Sequence, residues 1–220
     1  KGVAPALPAG KKLREEIEAV AAPICRDVVA RAATVVAHVR DIESPLGDLT
    51  ADMMRDAADD GKGGAGPADF AFVNMGSIRD SLAAGPITMC DLHRIWPFDD
   101  RLVEVSMTGT ELDRILRFVT GTLHKWFAVS GLTIEVKKDG TLVALRDAAG
   151  KPVVADRRYR VVTSAYLLRG GDHIDTVVKD IPRDRFRVLS YPSQRDAFRA
   201  WMERRKTVEV PASGRIVISP

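Results

Sequence analysis

The sequence predicts an α/β (α+β) domain, a layered mixed β-sheet with flanking helices. Three observations carry that prediction. Apolar runs of strand length, Phe70–Val73, Leu102–Met107 and Tyr159–Thr163, are spread along the chain and read as buried strands. Between them lie segments with apolar residues at helical spacing behind capping signals, such as Thr108-x-x-Glu111 followed by Leu112, Ile115, Leu116 and Val119. The two kinds of segment do not alternate strictly, which argues for a sheet of mixed strand direction. A chain of 220 residues, 45% hydrophobic, is long enough for one large domain with its own core.

Taken in order, residues 1–10 are rich in Pro, Gly and Ala and read as irregular chain, the remnant of a linker. The abrupt start at Lys1 reads as an excised piece, with the domain proper over residues 11–220. Residues 11–22 carry Leu13, Ile17 and Val20 at helical spacing, and Pro23 is expected to stop that helix. Val28 to Val39 reads as a strand. Ser44 as N-cap and Pro45 at the first position open a helix with Leu46, Leu49, Met53 and Ala57 on one face. Residues 61–67 form a Gly-rich loop. Thr88-x-x-Asp91 opens a short helix that Pro97 ends. Leu132–Val136 and Leu142–Leu145 flank Asp139-Gly140, a two-residue hairpin signal. Ser193-x-x-Asp196 opens a last helix with Ala197, Phe198, Trp201 and Met202 facing inward, and the tail from Val208 to Ile218 reads as one or two short strands.

Charge and composition exclude several functions. The 33 basic and 30 acidic residues leave a net charge of +3. They are interleaved, as in Arg94 to Arg101 and Arg183 to Arg187, which describes a solvated mixed surface and no nucleic-acid stripe. Cys25 and Cys90 form no CxxC motif, so a structural zinc site is not expected, and a disulfide between them stays open. His38, His93, His124 and His173 are scattered without metal-ligand spacing. No apolar run approaches the roughly 20 residues of a membrane span, and Lys1 opens no recognisable signal peptide.

The segment with most chemical content is Asp69-Phe-Ala-Phe-Val-Asn74-Met-Gly76-Ser-Ile-Arg79. A short strand runs into a turn holding Asn74 and Gly76 and ends on Arg79. Open α/β sheets tend to bind ligands just past the carboxyl ends of their strands. An amide and a guanidinium there can grip an oxygen-rich or anionic ligand. Three other segments join it: Arg40-Asp-Ile-Glu43-Ser-Pro-Leu-Gly47, Trp96-Pro97-Phe98-Asp99, and Ser164-Ala-Tyr166-Leu-Leu-Arg169-Gly170-Gly171-Asp172-His173.

In this order, the set resembles the C-terminal domain of the 5'-nucleotidase family, which includes UDP-sugar hydrolases and cyclic-nucleotide phosphodiesterases. The matching motifs are Glu43-Ser-Pro45-Leu46-Gly47-Asp48-Leu49, Asp69 to Arg79, Gly85-Pro-Ile87-Thr88 and Pro97-Phe98. They continue with Thr108-Gly109-x-x-Leu112, Tyr159-Arg160-Val161-x-Thr163, and Tyr166 with Gly170-Gly171-Asp172. Several motifs in register over about residues 15–218 are far more specific than any one of them.

The resemblance implies a domain that holds a nucleoside or nucleotide while a separate N-terminal metallophosphoesterase domain of the same polypeptide holds two divalent metals. By position, Phe98 and Tyr166 would stack on the base, Asp172 would accept from sugar hydroxyls, and Arg40, Asn74, Gly76 and Arg79 would face sugar and phosphate. Other readings stay open at each place. Phe98 and Tyr166 suit a core, Asn74 can tie its own turn, Asp172 can be a plain turn residue, and Arg40 is matched only by its spacing to Gly47. His173-Ile174, Met75 and Arg169 depart from the family pattern, and Arg169 is expected to favour an additional phosphate. The family's metal motifs G-N-H-E and G-H-x-H are absent from the sequence, and a lone D-x-H match, Asp91-Leu92-His93, stands without them. The chain is therefore expected to bind ligand, hold no cofactor and catalyse nothing alone. Two alternatives share the fold: a thiosulfohydrolase-like, non-nucleotide hydrolase and a stand-alone ligand-binding module. The resemblance also implies a periplasmic or cell-surface location and a domain rotation with the helix at residues 11–22 close to its hinge.

Overall fold

A computed structural model describes residues 8–40, 43–62, 66–123 and 125–219. Helix α1 (Pro8–Arg26) comes first, then strand β1 (Val28–Ala32) and helix α2 (Pro45–Asp56). Next are β2 (Phe70–Asn74), β3 (Gly85–Thr88), α3 (Met89–Ile95), β4 (Leu102–Thr108) and α4 (Gly109–Arg117). Strands β5 (Phe127–Ser130), β6 (Leu132–Lys137), β7 (Leu142–Asp147) and β8 (Arg158–Ser164) lead to two single-turn helices, α5 (Ala165–Leu168) and α6 (Asp175–Val178). Strand β9 (Phe186–Val188), helix α7 (Gln194–Arg205) and strands β10 (Thr207–Val208) and β11 (Ile216–Ser219) follow.

A five-stranded sheet of order β5-β2-β8-β4-β9 forms the middle layer. Only the β2–β8 pair in it is parallel, so the mixed direction expected from the sequence is what the chain adopts. Successive side chains of a strand point to opposite faces, and β2 is apolar at every position but its last. Phe70 and Phe72 accordingly enter one core, while Ala71 and Val73 enter the other. The first core contains Phe70 and Phe72 with residues of α4, α5, α6 and the β11-β6-β7 sheet, among them Ile115, Val136 and Leu167. The second packs α2, α3 and α7 with the β10-β1-β3 sheet, including Met53, Trp96 and Phe198. Trp96 meets Phe198 edge-on at 5.0 Å, and its Nε1 donates to Thr50 Oγ1 at 3.2 Å, so the ring is buried without an orphaned donor.

The helix starts follow the local chemistry. Ser44, Thr88, Thr108 and Ser193 each accept a backbone N–H from three residues on, and Thr88–Asp91 and Thr108–Glu111 are reciprocal capping boxes. Each such cap is worth about 1 kcal/mol. The Asp139-Gly140 hairpin joins β6 to β7, with Gly140 at φ 87°.

Other expectations need correction. Residues 8–10 already belong to α1, and Pro23 does not stop that helix, which continues to Arg26. Helix α1 lies on the surface, where water can satisfy the carbonyl that proline leaves without a partner, and a disulfide from Cys25 to Cys90 pins its last turn to α3. Closing a loop of 65 residues contributes about 4 kcal/mol by the chain-entropy account. The strand expected over Val28–Val39 ends at Ala32, because β10 offers only two residues to pair with; Val36 makes an isolated bridge to Leu82. Residues 1–7 of the expected linker and 63–65 of the Gly-rich loop lie outside the described residues, as does His124. No helix among the described residues is long and apolar enough to cross a membrane.

Candidate ligand-binding site

Parallel β2 and β8 end side by side, at Asn74 and Ser164, and antiparallel β4 begins beside them at Leu102. The segments after β2, before β4 and after β8 therefore converge at one edge of the central sheet. Between them is a cavity of about 480 Å³. Asn74, Gly76, Arg79, Phe98, Tyr166 and Asp172 all line it. Arg40 does not. The Val36–Leu82 bridge and a bond from His38 N to Ser81 Oγ lead its segment along the chain beyond Arg79. There Arg40 is exposed, and its charge adds to burial in lowering the His38 pKa.

Each contributor can be read from its surroundings. The Asn74 side chain is buried and does not cap the short turn that follows. Ser77 Oγ serves that turn instead, donating to the Asn74 carbonyl at 2.8 Å. Asn74 Oδ1 is left buried without a hydrogen-bond partner, a state that costs about 1–3 kcal/mol unless a ligand donor meets it. Gly76 gives room at the rim; a Cβ there would meet only Asn74 Nδ2, at 3.5 Å. Arg79 is exposed, and its guanidinium lies over the Phe98 ring at 5.0 Å. Phe98 and Tyr166 are 42% and 48% exposed, so neither ring belongs to a core.

The turn after β8 is built around Tyr166. A Cβ on Gly171 would fall 2.2 Å from Tyr166 Cε1, so only glycine lets the ring rest there. The chain then enters left-handed backbone at Asp172 (φ 51°) and His173 (φ 60°), conformations that carry strain for residues with a side chain and cluster at ligand sites. Asp172 accepts from Lys125 Nζ at 2.8 Å.

Sequence reasoning missed two residues here and misjudged one other. Asp100 lines the cavity with only 8% exposure. Its Oδ2 accepts the backbone N–H of Tyr166 at 2.7 Å and its Oδ1 accepts Arg169 Nη2 at 3.1 Å. The Asp99-Asp100 pair after Phe98 was the available signal. Lys125 carried none, since its partner is 47 positions away. Arg169 stands on the cavity wall, beside the pocket as expected, with its Nη2 held by Asp100. Met75 turns away from the cavity: Gly47 leaves space that it fills, and a Cβ at Gly47 would lie 2.9 Å from Met75 Cε.

Beneath α2 lies a different cluster. Glu43 accepts the backbone N–H groups of Gly214, Arg215 and Ile216 at 2.7, 2.8 and 3.0 Å, catching the chain as it enters β11. Arg215 forks onto Asp52 with two bonds of 2.8 Å. Asp48 is buried beside them, and its carboxyl is pushed up to about 8, chiefly by burial, with Arg215 opposing and Glu43 reinforcing. A cleft of about 840 Å³ borders this cluster. Asp52 and Asp56 on its wall are held by Arg215, Ser130, Trp201 and Arg205, and none of the expected ligand residues lines it. Among the described residues, no group of three or more His, Cys, Asp or Glu is placed to hold a metal ion.

Residues 27–180 match the family described as 5'-nucleotidase, C-terminal domain. The chain belongs to that family. A 5'-nucleotidase precursor from Thermus thermophilus superposes with a TM-score of 0.82 at 24% identity, over 96% of this chain and 43% of that one. The layered fold is thus that of a 5'-nucleotidase C-terminal domain. Endonuclease YhcR of Bacillus subtilis (strain 168) is 31% identical over 157 residues, 70% of this chain and 12% of that protein. Protein UshA of Yersinia enterocolitica is 33% identical over 114 residues, 50% of this chain and 21% of that protein. The 5'-nucleotidase C-terminal domain described here therefore spans a minor part of the length of these relatives.

Proposed function

We propose that this domain is the substrate-recognition half of a nucleotide phosphohydrolase of the 5'-nucleotidase or UDP-sugar hydrolase type. One observation carries the reading. Two half-exposed aromatic rings, an exposed arginine, a strained aspartate and an orphaned buried acceptor line a single cavity at the ends of β2 and β8. Phe98 and Tyr166 offer flat faces to a base, and stacking of this kind contributes about 1–3 kcal/mol per base. Asp172 accepts from the sugar hydroxyls. Asn74 Oδ1 takes a donor from the ligand, and Arg79, released from Phe98 by an incoming base, turns to the phosphate.

In this reading the hydrolytic step is assigned to a separate metallophosphoesterase domain, for which the longer relatives have room. Two divalent metals held in that domain would supply water activation and charge stabilisation at the phosphoryl group. This domain's own contribution is to bind the substrate and orient it. The Cys25–Cys90 disulfide supports an oxidising location, the periplasm or cell surface. The exposed rings favour a planar ligand over the small inorganic substrate of a thiosulfohydrolase-like reading.

Titration calorimetry with adenosine, AMP and UDP-glucose tests the proposal. Saturable binding of at least one is expected. Failure of the folded chain to bind any of them at millimolar concentration would remove the nucleotide reading.

A further inference from the structure

Resting on that nucleotide reading, we infer that Asp100 and Arg169 form the base-reading device of this cleft and that it selects guanine. Asp100 stands two positions after Phe98, and its Oδ2 is bonded to the backbone N–H of Tyr166. Its carboxylate therefore links the Phe98 segment to the backbone of Tyr166, the two residues whose rings provide the stacking faces. The side chain is 9% exposed and on the cavity wall. Oδ1 holds Arg169 Nη2, while the rest of that guanidinium, on a side chain 74% exposed, is open to the cavity.

Through these bonds the pair offers Oδ2, then Oδ1, then the guanidinium attached to Oδ1, which is acceptor, acceptor, donor. A carboxylate only accepts, with about four lone-pair sites, and two of Asp100's are used by the protein. Among the common bases, guanine presents the complementary order on one edge: N2–H and N1–H donate side by side, and O6 accepts next to them. Adenine sets one donor beside a bare ring nitrogen. Uracil and cytosine bring carbonyl oxygens or a lone pair against the carboxylate, which repels them. With N1–H and N2–H on Asp100 and O6 on Arg169, guanine makes charge-assisted bonds along the whole edge. Asn74 Oδ1, buried and unpartnered on the same cavity, adds another acceptor and the same bias toward a donor-rich ligand.

Titration calorimetry of the chain with GMP, IMP, AMP and UMP tests the assignment. GMP is expected to bind roughly tenfold to a hundredfold more tightly than AMP or UMP, the discrimination a good bidentate base contact gives. IMP, which keeps N1–H and O6 but lacks the 2-amino group, is expected in between. Asp100→Asn retains an oxygen for the Tyr166 N–H but loses one acceptor, and the advantage of GMP over AMP is expected to vanish in it. The comparison of GMP with IMP needs only the unaltered chain, so it stands even if the variant does not fold. Equal affinities for GMP and AMP, IMP binding as tightly as GMP, or a folded Asp100→Asn that still prefers GMP would each overturn the guanine assignment and leave the nucleotide reading in place. No binding by any of the four would overturn both.

Discussion

Asp48 and Asp100 are both buried acids close to the end of a regular element, and the protein handles them in opposite ways. Asp48 sits in the first turn of α2 with Oδ2 unpartnered, and the nearest cation contact is Arg215 Nε at 3.9 Å, on a guanidinium already committed to Asp52. Burial then favours the neutral form, and the carboxyl pKa rises to about 8. Asp100 is instead supplied with donors, the Tyr166 N–H and the Arg169 guanidinium. One acid is stabilised by a proton and the other by N–H groups. Asp100 lines the ligand cavity, whereas Asp48 is absent from the lining of the cleft beside its cluster.

The contrast can be broken most severely at Arg215. Arg215→Ala leaves Asp52 without its bidentate partner and removes donors to the Asp48 and Val129 carbonyls. Loss of one member of a fully buried ion pair costs about 3–5 kcal/mol, and this pair is part-buried, its side chains 17% and 28% exposed, so a cost below that range is expected. A matching drop in urea-unfolding stability is expected, and a drop no larger than that of a surface change would mean that the cluster does not hold β11.

Next comes pH. Asp48 has a folded pKa of about 8 against a usual 3.8, so the folded state binds the extra proton between those values. Its contribution is present in full below the lower value and is lost as pH rises through the upper one. Stability followed by thermal unfolding from about pH 6 to 9 is expected to fall, and Asp48→Asn is expected to abolish the part of the fall due to this group. Identical pH profiles for the two proteins would place the proton elsewhere.

At the other region, Phe98→Ala is expected to weaken nucleotide binding by about 1–3 kcal/mol while shifting stability by no more than about 0.5 kcal/mol, as for an exposed side chain. Calorimetry and urea titration on the same variant separate the two effects. The smallest change is expected from Lys125→Ala. Its bond to Asp172 is on the surface, with half of the lysine side chain exposed, and such pairs contribute about 0–1 kcal/mol. Stability should barely move, and nucleoside affinity should rise as Asp172 is freed for the sugar. A fall in affinity would make Lys125 a ligand contact.

How much of this was legible in the sequence depends on distance along the chain. Ser44, Thr88, Thr108 and Ser193 act within three residues of themselves, and each was found where it was expected. The Asp139-Gly140 turn and the buried β2 run are local for the same reason. The fold class followed from these pieces together. The cavity was legible where a motif places several residues on one turn, as at Asn74, Gly76 and Arg79. The Asp100–Tyr166 and Lys125–Asp172 contacts, 66 and 47 positions apart, depend on which strands pair, and no local pattern encodes that. Arg40 is outside the cavity lining for the same reason: spacing to Gly47 fixed its place in the chain, while the pairing of Val36 with Leu82 fixed its place in space.

The ring of Tyr166 rests on the main chain at Gly171. One wall of the cleft is therefore backed by peptide, which substitution of neighbouring side chains cannot trim, and any larger residue at position 171 must displace the ring. The Phe98 ring is covered instead by the Arg79 guanidinium, a side chain that substitution can remove. Substitution at Arg79 therefore alters what covers one ring of the cleft, while the seat of the other is set by the main chain at Gly171.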